Sequence, residues 1–263
     1  MTKRLLVLVC IGFTILISAN YSFAVMDGLV GAWTFDKDEG GIVKDDSGNG
    51  YDGELVGNAK VDKNGKYGSA VATDGTEGYV MIPDDPAFEF EGDFSLACWV
   101  WNETLPAEAS SFITKGYHRP AANGGDAKPW YLVYFMPAGT VDLYLRDTNA
   151  ANSRAIGKTT VSDGQWHHIV AMKDNDEVRI YIDGKEDGTA AAVDAKYGEN
   201  DQPLVFMVHY DRWFAGMIDE VAVFDKALSE GEIEAVMGGL DKGVLAVSPN
   251  ERLTATWGSL KKN

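Results

Sequence analysis

The sequence predicts an all-β protein, an antiparallel two-sheet β-sandwich with one short C-terminal helix. Apolar and polar residues alternate in short runs, and Gly, Asp and Asn separate the runs. The most complete example is GQWHHIVAMKDNDEVRIYIDG at 164–184, where two alternating runs flank an Asp-Asn-Asp turn and predict a β-hairpin. Each strand of this hairpin carries an apolar row that a second sheet would cover: Trp166, His168, Val170 and Met172 on one strand, Val178, Ile180 and Ile182 on the other.

The first 24 residues predict a secretory signal peptide. Lys3 and Arg4 precede an apolar run that extends from Leu5 to Ile17, and small residues stand at Ser22 and Ala24, as a cleavage site after Ala24 requires. The alternative is an uncleaved membrane anchor, for which the apolar run is short compared with the roughly 20 residues of a span. We therefore expect a secreted, extracellular protein, with a periplasmic or cell-surface location also open.

Length and charge bound the mature chain. The 263 residues leave, after the leader, one β-sandwich domain at 25–239 and a C-terminal tail at 240–263. The net charge is −17 and becomes −19 without the leader, whose only charges are basic. Such acidity disfavours nucleic acid and anionic membranes as partners and suits divalent cations. Cys98 is the one cysteine left, so no internal disulfide can form, and we expect it to be a small buried residue.

The loop after the first predicted strand, Gly28–Phe35, is dense in acidic residues and glycine. Its polar residues include Asp36, Asp38, Glu39, Asp45, Asp46, Ser47, Asn49 and Asp52. Hard cations take six to eight oxygen ligands, so a calcium site is one interpretation. The other is a solvated loop whose Asp and Asn side chains cap turns. The loop does not fit the EF-hand pattern.

The last long predicted strand, Met217–Phe224, contains adjacent carboxylates. Alternation places Asp219 in the row of Met217, Val221 and Val223, and Glu220 on the opposite face. Both faces are mostly apolar, so the carboxylate that points into the sandwich needs a cation, a donor or a proton. A capping box, Ser229-Glu230-Gly231-Glu232, then predicts a short helix that ends at Met237.

Candidate ligand contacts follow a predicted strand that ends in Lys115-Gly116. Variable loops on rigid sandwiches commonly carry binding residues, so Tyr117, His118, Arg119 and Trp130 form the candidate binding surface. The alternative is an ordinary exposed loop with a buried Trp130.

Two further sets of residues allow a binding role. The pair Trp99 and Trp101 either stacks on sugars or belongs to the core. Asp142, Tyr144 and Arg146 share one face of a strand and line either a binding face or the wet side of the sheet.

Four ordered stretches resemble the laminin-G-like jelly roll of the concanavalin A-like lectin/glucanase superfamily. They are GLVGAWTFDKDEGGIVKDDSGNGYDGEL at 28–55, FSLACWVW at 94–101, the WHH…YIDGK hairpin, and FAGMIDEVAVFDKALSEGEIEAVM at 214–237. The resemblance implies a jelly-roll sandwich in which the last-strand aspartate can approach the first-strand loop. It therefore implies a calcium site made of Asp36, Asp46, Asn49 and Asp219.

The residues do not provide a catalytic set. Glycosidases of this fold place carboxylates on one strand as Glu-x-Asp-x-x-Glu, and the sequence has no such triplet, no G-x-S-x-G elbow and no H-E-x-x-H helix. We therefore expect no enzyme, but a secreted binding module for a glycan or polysaccharide with a structural calcium ion. The alternatives are an extracellular adhesion protein with a protein partner, and a glycoside hydrolase.

Overall fold

A computed structural model describes residues 27–116, 129–149, 151–193 and 195–245. The predicted leader and most of the predicted tail lie outside the described residues. Eighteen strands and two short α-helices form in the described part, together with a 3₁₀ turn at Pro86–Phe88. In chain order they are β1 Leu29–Trp33, β2 Ile42–Val43, β3 Gly53–Val56, β4 Lys60–Asp62, β5 Ala70–Asp74, β6 Tyr79–Ile82, β7 Phe94–Trp101, β8 Ser110–Lys115, β9 Trp130–Phe135, β10 Val141–Arg146, β11 Asn152–Ile156, β12 Trp166–Asp174, β13 Glu177–Ile182, β14 Lys185–Ala191, β15 Leu204–Phe206, β16 Val208–His209, β17 Arg212–Trp213, β18 Ala215–Phe224, α1 Glu230–Met237 and α2 Leu240–Gly243.

Two antiparallel sheets make the sandwich, as the sequence predicts. Sheet A has the order β14-β13-β12-β7-β18-β5-β4, and β1 pairs with the C-terminal half of β18 while β5 pairs with its N-terminal half. Sheet B has the order β11-β10-β9-β8-β15-β6-β3-β2. The strands β16 and β17 form a separate short hairpin.

The main core lies between the sheets and is rich in aromatic residues. Trp33 of β1 is fully buried, with its ring centroid 5.1 Å from that of Phe206. Its indole Nε1 donates a hydrogen bond to the carbonyl of Tyr51 at 2.9 Å, which ties the acidic loop to the core. Cys98 is buried in the same core, as predicted.

The two apolar rows of the hairpin β12–β13 lie on opposite faces of sheet A. Val178, Ile180 and Ile182 pack in the inter-sheet core, as expected for a covered sheet. The row of His168, Val170 and Met172 instead faces outward, and the last two pack against the C-terminal helices. The second sheet therefore covers one row and the helices cover part of the other, a division that alternation within one strand cannot show.

The predicted helix forms as α1, but the folded unit continues beyond it. The carboxylate of Glu232 accepts hydrogen bonds from Ser229 N at 2.9 Å and Ser229 Oγ at 2.8 Å, which is the predicted N-terminal cap. The first residues of the predicted tail form α2, in which Leu240 is fully buried in the helix-side cluster. No helix in the part of the chain described above is long and apolar enough to cross a membrane.

Candidate functional site

The acidic loop after β1 is organised by hydrogen bonds from its own backbone. Oδ1 of Asp45 accepts from the backbone N–H of Ala32 at 3.1 Å and of Ser47 at 2.9 Å. Oδ2 of the same residue accepts from Gly50 and Tyr51, both at 3.0 Å. Asp45 thus caps the turns of the loop, which is the second interpretation that the sequence allows.

Two predicted calcium ligands, Asp46 and Asn49, also contact the loop and β1. Oδ2 of Asp46 accepts from Thr34 Oγ1 at 2.6 Å, and Oδ1 accepts from Lys37 Nζ, also at 2.6 Å. Nδ2 of Asn49 donates to the carbonyl of Val30 at 2.8 Å. Asp46 therefore forms an ion pair with Lys37, and the side-chain amide of Asn49 links the loop to β1.

A β-bulge in β18 changes the expected positions of the adjacent carboxylates. The pairing of β18 with β7 shifts between Asp219 and Ala222, and Glu220 has a positive φ of 52°. The extra residue reverses the alternation, so Val221 and Val223 face the inter-sheet core while Asp219 does not share their row. The prediction that Asp219 shares a row with Val221 and Val223 is therefore wrong, because the bulge lies between them.

Asp219 holds the loop that precedes β5. Its Oδ2 accepts from the backbone N–H of Tyr67 at 3.0 Å, and its Oδ1 accepts from Glu220 N at 2.7 Å. A Cβ atom on Gly65 would lie 2.8 Å from Oδ2, so the loop closes tightly over the carboxylate. Asp219 is fully buried, and burial raises its pKa to about 8.

Glu220, not Asp219, lines the cavity beside Asp36. This cavity has a volume of about 250 Å³ and is lined by Asp36, Tyr67, Gly68, Glu220, Gly239, Asp241 and Lys242. Burial raises the pKa of Glu220 to about 7, and the charges of Asp241, Asp36 and Asp46 act in the same direction. Oδ1 of Asp36 accepts from Ser69 N at 2.7 Å. The sequence interpretation misses Glu220 because of the bulge, and Asp241 because it lies in the predicted tail.

The carboxylate oxygens in and beside this cavity are ligands of the kind that a hard cation binds. Asp36, Asp46, Glu220 and Asp241 offer only carboxylate oxygens, the ligands that calcium takes. Among the residues that the structure describes, no group of three or more His, Cys, Asp or Glu side chains is arranged to hold a metal ion. Calcium stays a prediction, and this cavity adds Glu220 and Asp241 to the four ligands predicted from the sequence.

The predicted ligand-binding residues are only partly within the structure. Tyr117, His118 and Arg119 lie outside the described residues. Trp130 begins β9 and is only 2% exposed, which corresponds to the alternative of a buried ring. Its indole meets Tyr144 edge-on, with ring centroids 5.0 Å apart.

The outer face of sheet B next to Trp130 carries a group that we name the tyrosine–arginine face. It consists of Tyr134, Asp142, Tyr144, Arg146 and Arg154. Tyr134 and Tyr144 are half-buried neighbours with ring centroids 5.9 Å apart, and the guanidinium carbon of Arg154 lies 5.3 Å from the Tyr144 ring centroid. Oδ2 of Asp142 accepts from Arg154 Nη2 at 2.6 Å and Nε at 2.9 Å, so the two residues form a charge-assisted pair.

Buried polar atoms on this face have unused hydrogen-bonding capacity. Asp142 Oδ1, Arg146 Nε and Thr114 Oγ1 are buried and have no hydrogen-bond partner among the described residues. Buried polar groups are nearly always bonded to protein, water or ligand, and leaving one unbonded is costly. These three atoms are therefore the polar groups on and beside the face whose hydrogen bonds the described residues do not supply.

The remaining candidate residues divide between core and surface. Trp99 is 5% exposed, with Lys66 Nζ 3.9 Å from its ring centroid, whereas Trp101 is half-buried. His168 is buried, and burial lowers its pKa to about 3. His167 points to the opposite face of β12 and contacts the carboxylates of Asp183 and Asp163.

Sequence comparison supports the resemblance inferred from the motifs. The family model described as the concanavalin A-like lectin/glucanases superfamily, of laminin G type, matches residues 74–234, more than half of the chain. No curated protein sequence matches the chain.

Solved structures share the fold at low sequence identity. Domain 4 of AbnA, a GH43 extracellular arabinanase from Geobacillus stearothermophilus in complex with arabinotriose, aligns with a TM-score of 0.62 and 20% identity over 79% of this chain and 97% of that domain. The binding domain of Paraclostridial Mosquitocidal Protein 1 aligns with a TM-score of 0.63 and 17% identity over 79% of this chain and 51% of that chain. The receptor-binding domain of botulinum neurotoxin C/D mosaic serotype aligns with a TM-score of 0.63 and 17% identity over 81% of this chain and 52% of that chain. The chain thus spans about half the length of the toxin domains, and these likenesses show the fold.

Proposed function

Because the chain belongs to the laminin-G-like family of the concanavalin A-like lectin/glucanase superfamily, we propose that it is a secreted, non-catalytic module that binds carbohydrate. The observation that carries the proposal is the tyrosine–arginine face, where two half-buried tyrosine rings lie beside a paired Asp142 and Arg154. Aromatic faces stack on the C–H faces of sugars, and fixed charged groups bind sugar hydroxyls. Both kinds of group are held on paired strands and need little ordering on binding.

Charge and neighbours suggest the first ligands to test. A net charge of −17 opposes binding of strongly anionic polysaccharides. One structural neighbour is named as a complex with arabinotriose, which makes arabinan and arabino-oligosaccharides reasonable first probes. This support is analogy at the level of fold.

The most buried carboxylates of the described residues are each held by other groups of the protein. The three most buried ones in the described part are Asp219, Asp142 and Glu220. Asp142 pairs with Arg154, Asp219 accepts from backbone amides, and Glu220 accepts from the Leu240 amide. A retaining or inverting glycosidase needs two carboxylates that face one substrate across a groove, and these three have other structural partners.

A protein partner is the second candidate function. Ile156, next to the tyrosine–arginine face, is 59% exposed, and two of the neighbours above are named as toxin binding domains. Exposed apolar residues at the edge of a polar face are common in protein interfaces. Absence of retention on every polysaccharide would favour this candidate.

The face is tested by affinity electrophoresis in gels that contain arabinan, xylan or another neutral polysaccharide. We expect retardation of the wild-type protein and at least a tenfold weaker interaction for Tyr144→Ala, because a stacking ring and a contact of Arg154 are lost. Lys158→Ala, an exposed position after β11, is the matched control and should be retarded as much as wild type, relative to the mobility of each protein in a gel without polysaccharide. Equal retardation of Tyr144→Ala and wild type would contradict the proposed face. Arg119→Ala tests the predicted loop contacts in the same gels.

A structural calcium ion is the proposed cofactor. Asp36, Asp46 and Glu220 would supply oxygen ligands, and the bound charge would favour the ionised form of Glu220, whose pKa burial raises. We expect the thermal midpoint to be higher in calcium than in chelator. A calcium concentration of one hundred times the dissociation constant would raise the free energy of unfolding by about 2.7 kcal/mol.

The calcium prediction has a matched pair of variants. Asp36→Asn should abolish the calcium-dependent rise, whereas Asp163→Asn, an exposed residue on another loop, should retain it. Equal wild-type midpoints in calcium and in chelator would remove calcium from the proposal.

A further inference from the structure

A second groove lies on the outer face of sheet A, on the sheet opposite the tyrosine–arginine face. Its cavity has a volume of about 430 Å³ and extends over β7, β18, β5 and β4. Trp101 and Met217 line it, together with polar side chains that include Asn58, Lys60 and Asp62. Volumes of this size are typical of small-molecule sites.

The register of sheet A forms this groove. Trp101 pairs with Met217, Met217 with Ala72, and Ala72 with Lys60, so one row crosses four strands. Trp166 pairs with Trp101 from β12 and extends the row to a fifth strand. Side chains in such a row lie on the same face, so half-buried Trp and Met residues lie at one end and a lysine at the other.

The floor of the groove consists of residues with small side chains or none, which leaves space above the sheet. Gly216 has a φ of 151°, and a Cβ atom there would lie 2.3 Å from the carbonyl oxygen of Trp101. Glycine is therefore required where β18 passes Trp101, and Ala72 is the next residue of the floor. The ring of Trp101 is also fixed, because its Nε1 donates to the carbonyl of Gly164 at 2.9 Å.

Two oriented carboxylates flank the row of Ala72. Oδ1 of Asp62 accepts from Asn64 N and Nδ2 at 2.9 and 2.7 Å, and Oδ1 of Asp74 accepts from Thr76 N and Oγ1 at 2.9 and 2.7 Å. These hydrogen bonds, to Asn64 and Thr76 respectively, lower the pKa of both carboxyl groups, so both are ionised at neutral pH. All these hydrogen bonds are accepted by Oδ1. Within the described residues, Oδ2 of Asp62 and Oδ2 of Asp74 accept no hydrogen bond, so both can accept one from a ligand hydroxyl.

A second cavity borders the groove at Asp74. This cavity, of about 350 Å³, shares Asp74 with the first and is lined by the loop after β7 and by the β16–β17 hairpin. Trp213 is half-buried on that hairpin, and Leu105 of the loop is 60% exposed. Arg212 Nε lies 2.7 Å from Glu108 Oε2 across the wall of the cavity. The two cavities thus adjoin at Asp74, and a tryptophan lines each of them.

We propose that this groove, from Trp101 across Asp74 to Trp213, binds a linear, uncharged oligosaccharide as a second glycan site. The inference rests on the proposed carbohydrate-binding function and assigns it a further surface. Stacking on the two indoles and hydrogen bonds to Asp62 and Asp74 are the recognition chemistry. Two successive cavities favour a chain over a single sugar, and the carboxylates together with the acidic protein disfavour a polyanion.

The test is isothermal titration of the full mature chain with linear arabino-, xylo- and cello-oligosaccharides of increasing length. We expect two sites per protein for the ligand that binds, and an affinity for the groove site that rises until the oligosaccharide reaches both cavities. Trp101→Ala should weaken one site about tenfold. Ala72→Arg, which fills the floor and removes no existing contact of the core, should do the same, and Tyr144→Ala should affect only the other site. The thermal midpoint of each variant shows that it is folded.

The outcomes separate the groove from the proposed function. A single site that Tyr144→Ala weakens and that Trp101→Ala and Ala72→Arg leave unchanged would overturn the groove while the carbohydrate-binding function stands. No binding of any oligosaccharide by the wild-type protein would overturn both. An affinity of the groove site that is the same for short and long oligosaccharides would contradict the extension to Trp213.

Discussion

Replacing Lys115 with methionine is expected to lower the free energy of unfolding by about 3 kcal/mol. Lys115 ends β8 and is fully buried, and its Nζ donates to Asp84 Oδ1 at 2.6 Å, Asn200 O at 2.9 Å and Gln202 O at 2.6 Å. Burial lowers the pKa of Lys115, and the hydrogen bond to Asp84 opposes this effect. Methionine fills a similar volume but leaves one carboxylate and two carbonyls without their donor.

The size of the effect depends on how well these acceptors can be rehydrated. The side chain of Asp84 is 37% exposed and can regain water, so the expected loss is at the lower end of the range for a broken buried pair. Chemical denaturation of the variant and of Lys185→Met, an exposed lysine at the start of β14, gives the comparison. The control should lie within about 0.5 kcal/mol of wild type. A Lys115→Met protein as stable as the control would show that the three hydrogen bonds contribute nothing net.

The second large effect is expected for Trp33→Ala, which should cost about 4 kcal/mol of stability. Trp33 lies in the core between the sheets, against Phe206 and Phe88, and its indole holds the carbonyl of Tyr51. The substitution would leave a cavity in the core and release the acidic loop from β1. Its cost therefore combines lost burial with a lost buried hydrogen bond.

Trp33→Phe separates the two contributions. Both variants lose the hydrogen bond to Tyr51, but phenylalanine retains much of the ring volume, so it should cost less than half as much as alanine. Guanidinium denaturation of the three proteins measures the difference. A Trp33→Ala loss below about 1 kcal/mol, or equal losses for both variants, would contradict the assignment of Trp33 as a core anchor.

The sequence predicts the fold well because its strongest signals are local. The alternation in Phe94–Trp101 and in the β12–β13 hairpin requires only a period of two, and Ser229 with Glu232 defines the start of α1 within four residues. The alternation in the sequence corresponds to the two faces of each strand in the folded chain, because neighbouring strands pair in register.

The candidate sites are less predictable because they depend on packing between distant segments. The bulge at Asp219 and Glu220 arises where β18 changes its partner from β5 to β1, and a single-strand pattern contains no such information. Trp130 and Trp101 look equivalent as aromatic residues in strands, yet the first is buried and the second lines a groove. Only the register across sheet A shows that Trp101, Met217 and Ala72 form one row.

The most direct measurement of the proposed function follows the wild-type mature chain on arabinan and a panel of other neutral polysaccharides. Two quantities are recorded in the same samples: the fraction of protein that sediments with insoluble polysaccharide and the release of reducing ends. We expect saturable retention on at least one polysaccharide and no release of reducing ends above the protein-free control. Release that a single carboxylate substitution abolishes would establish a hydrolase instead, and absence of retention on the whole panel would contradict a carbohydrate-binding module.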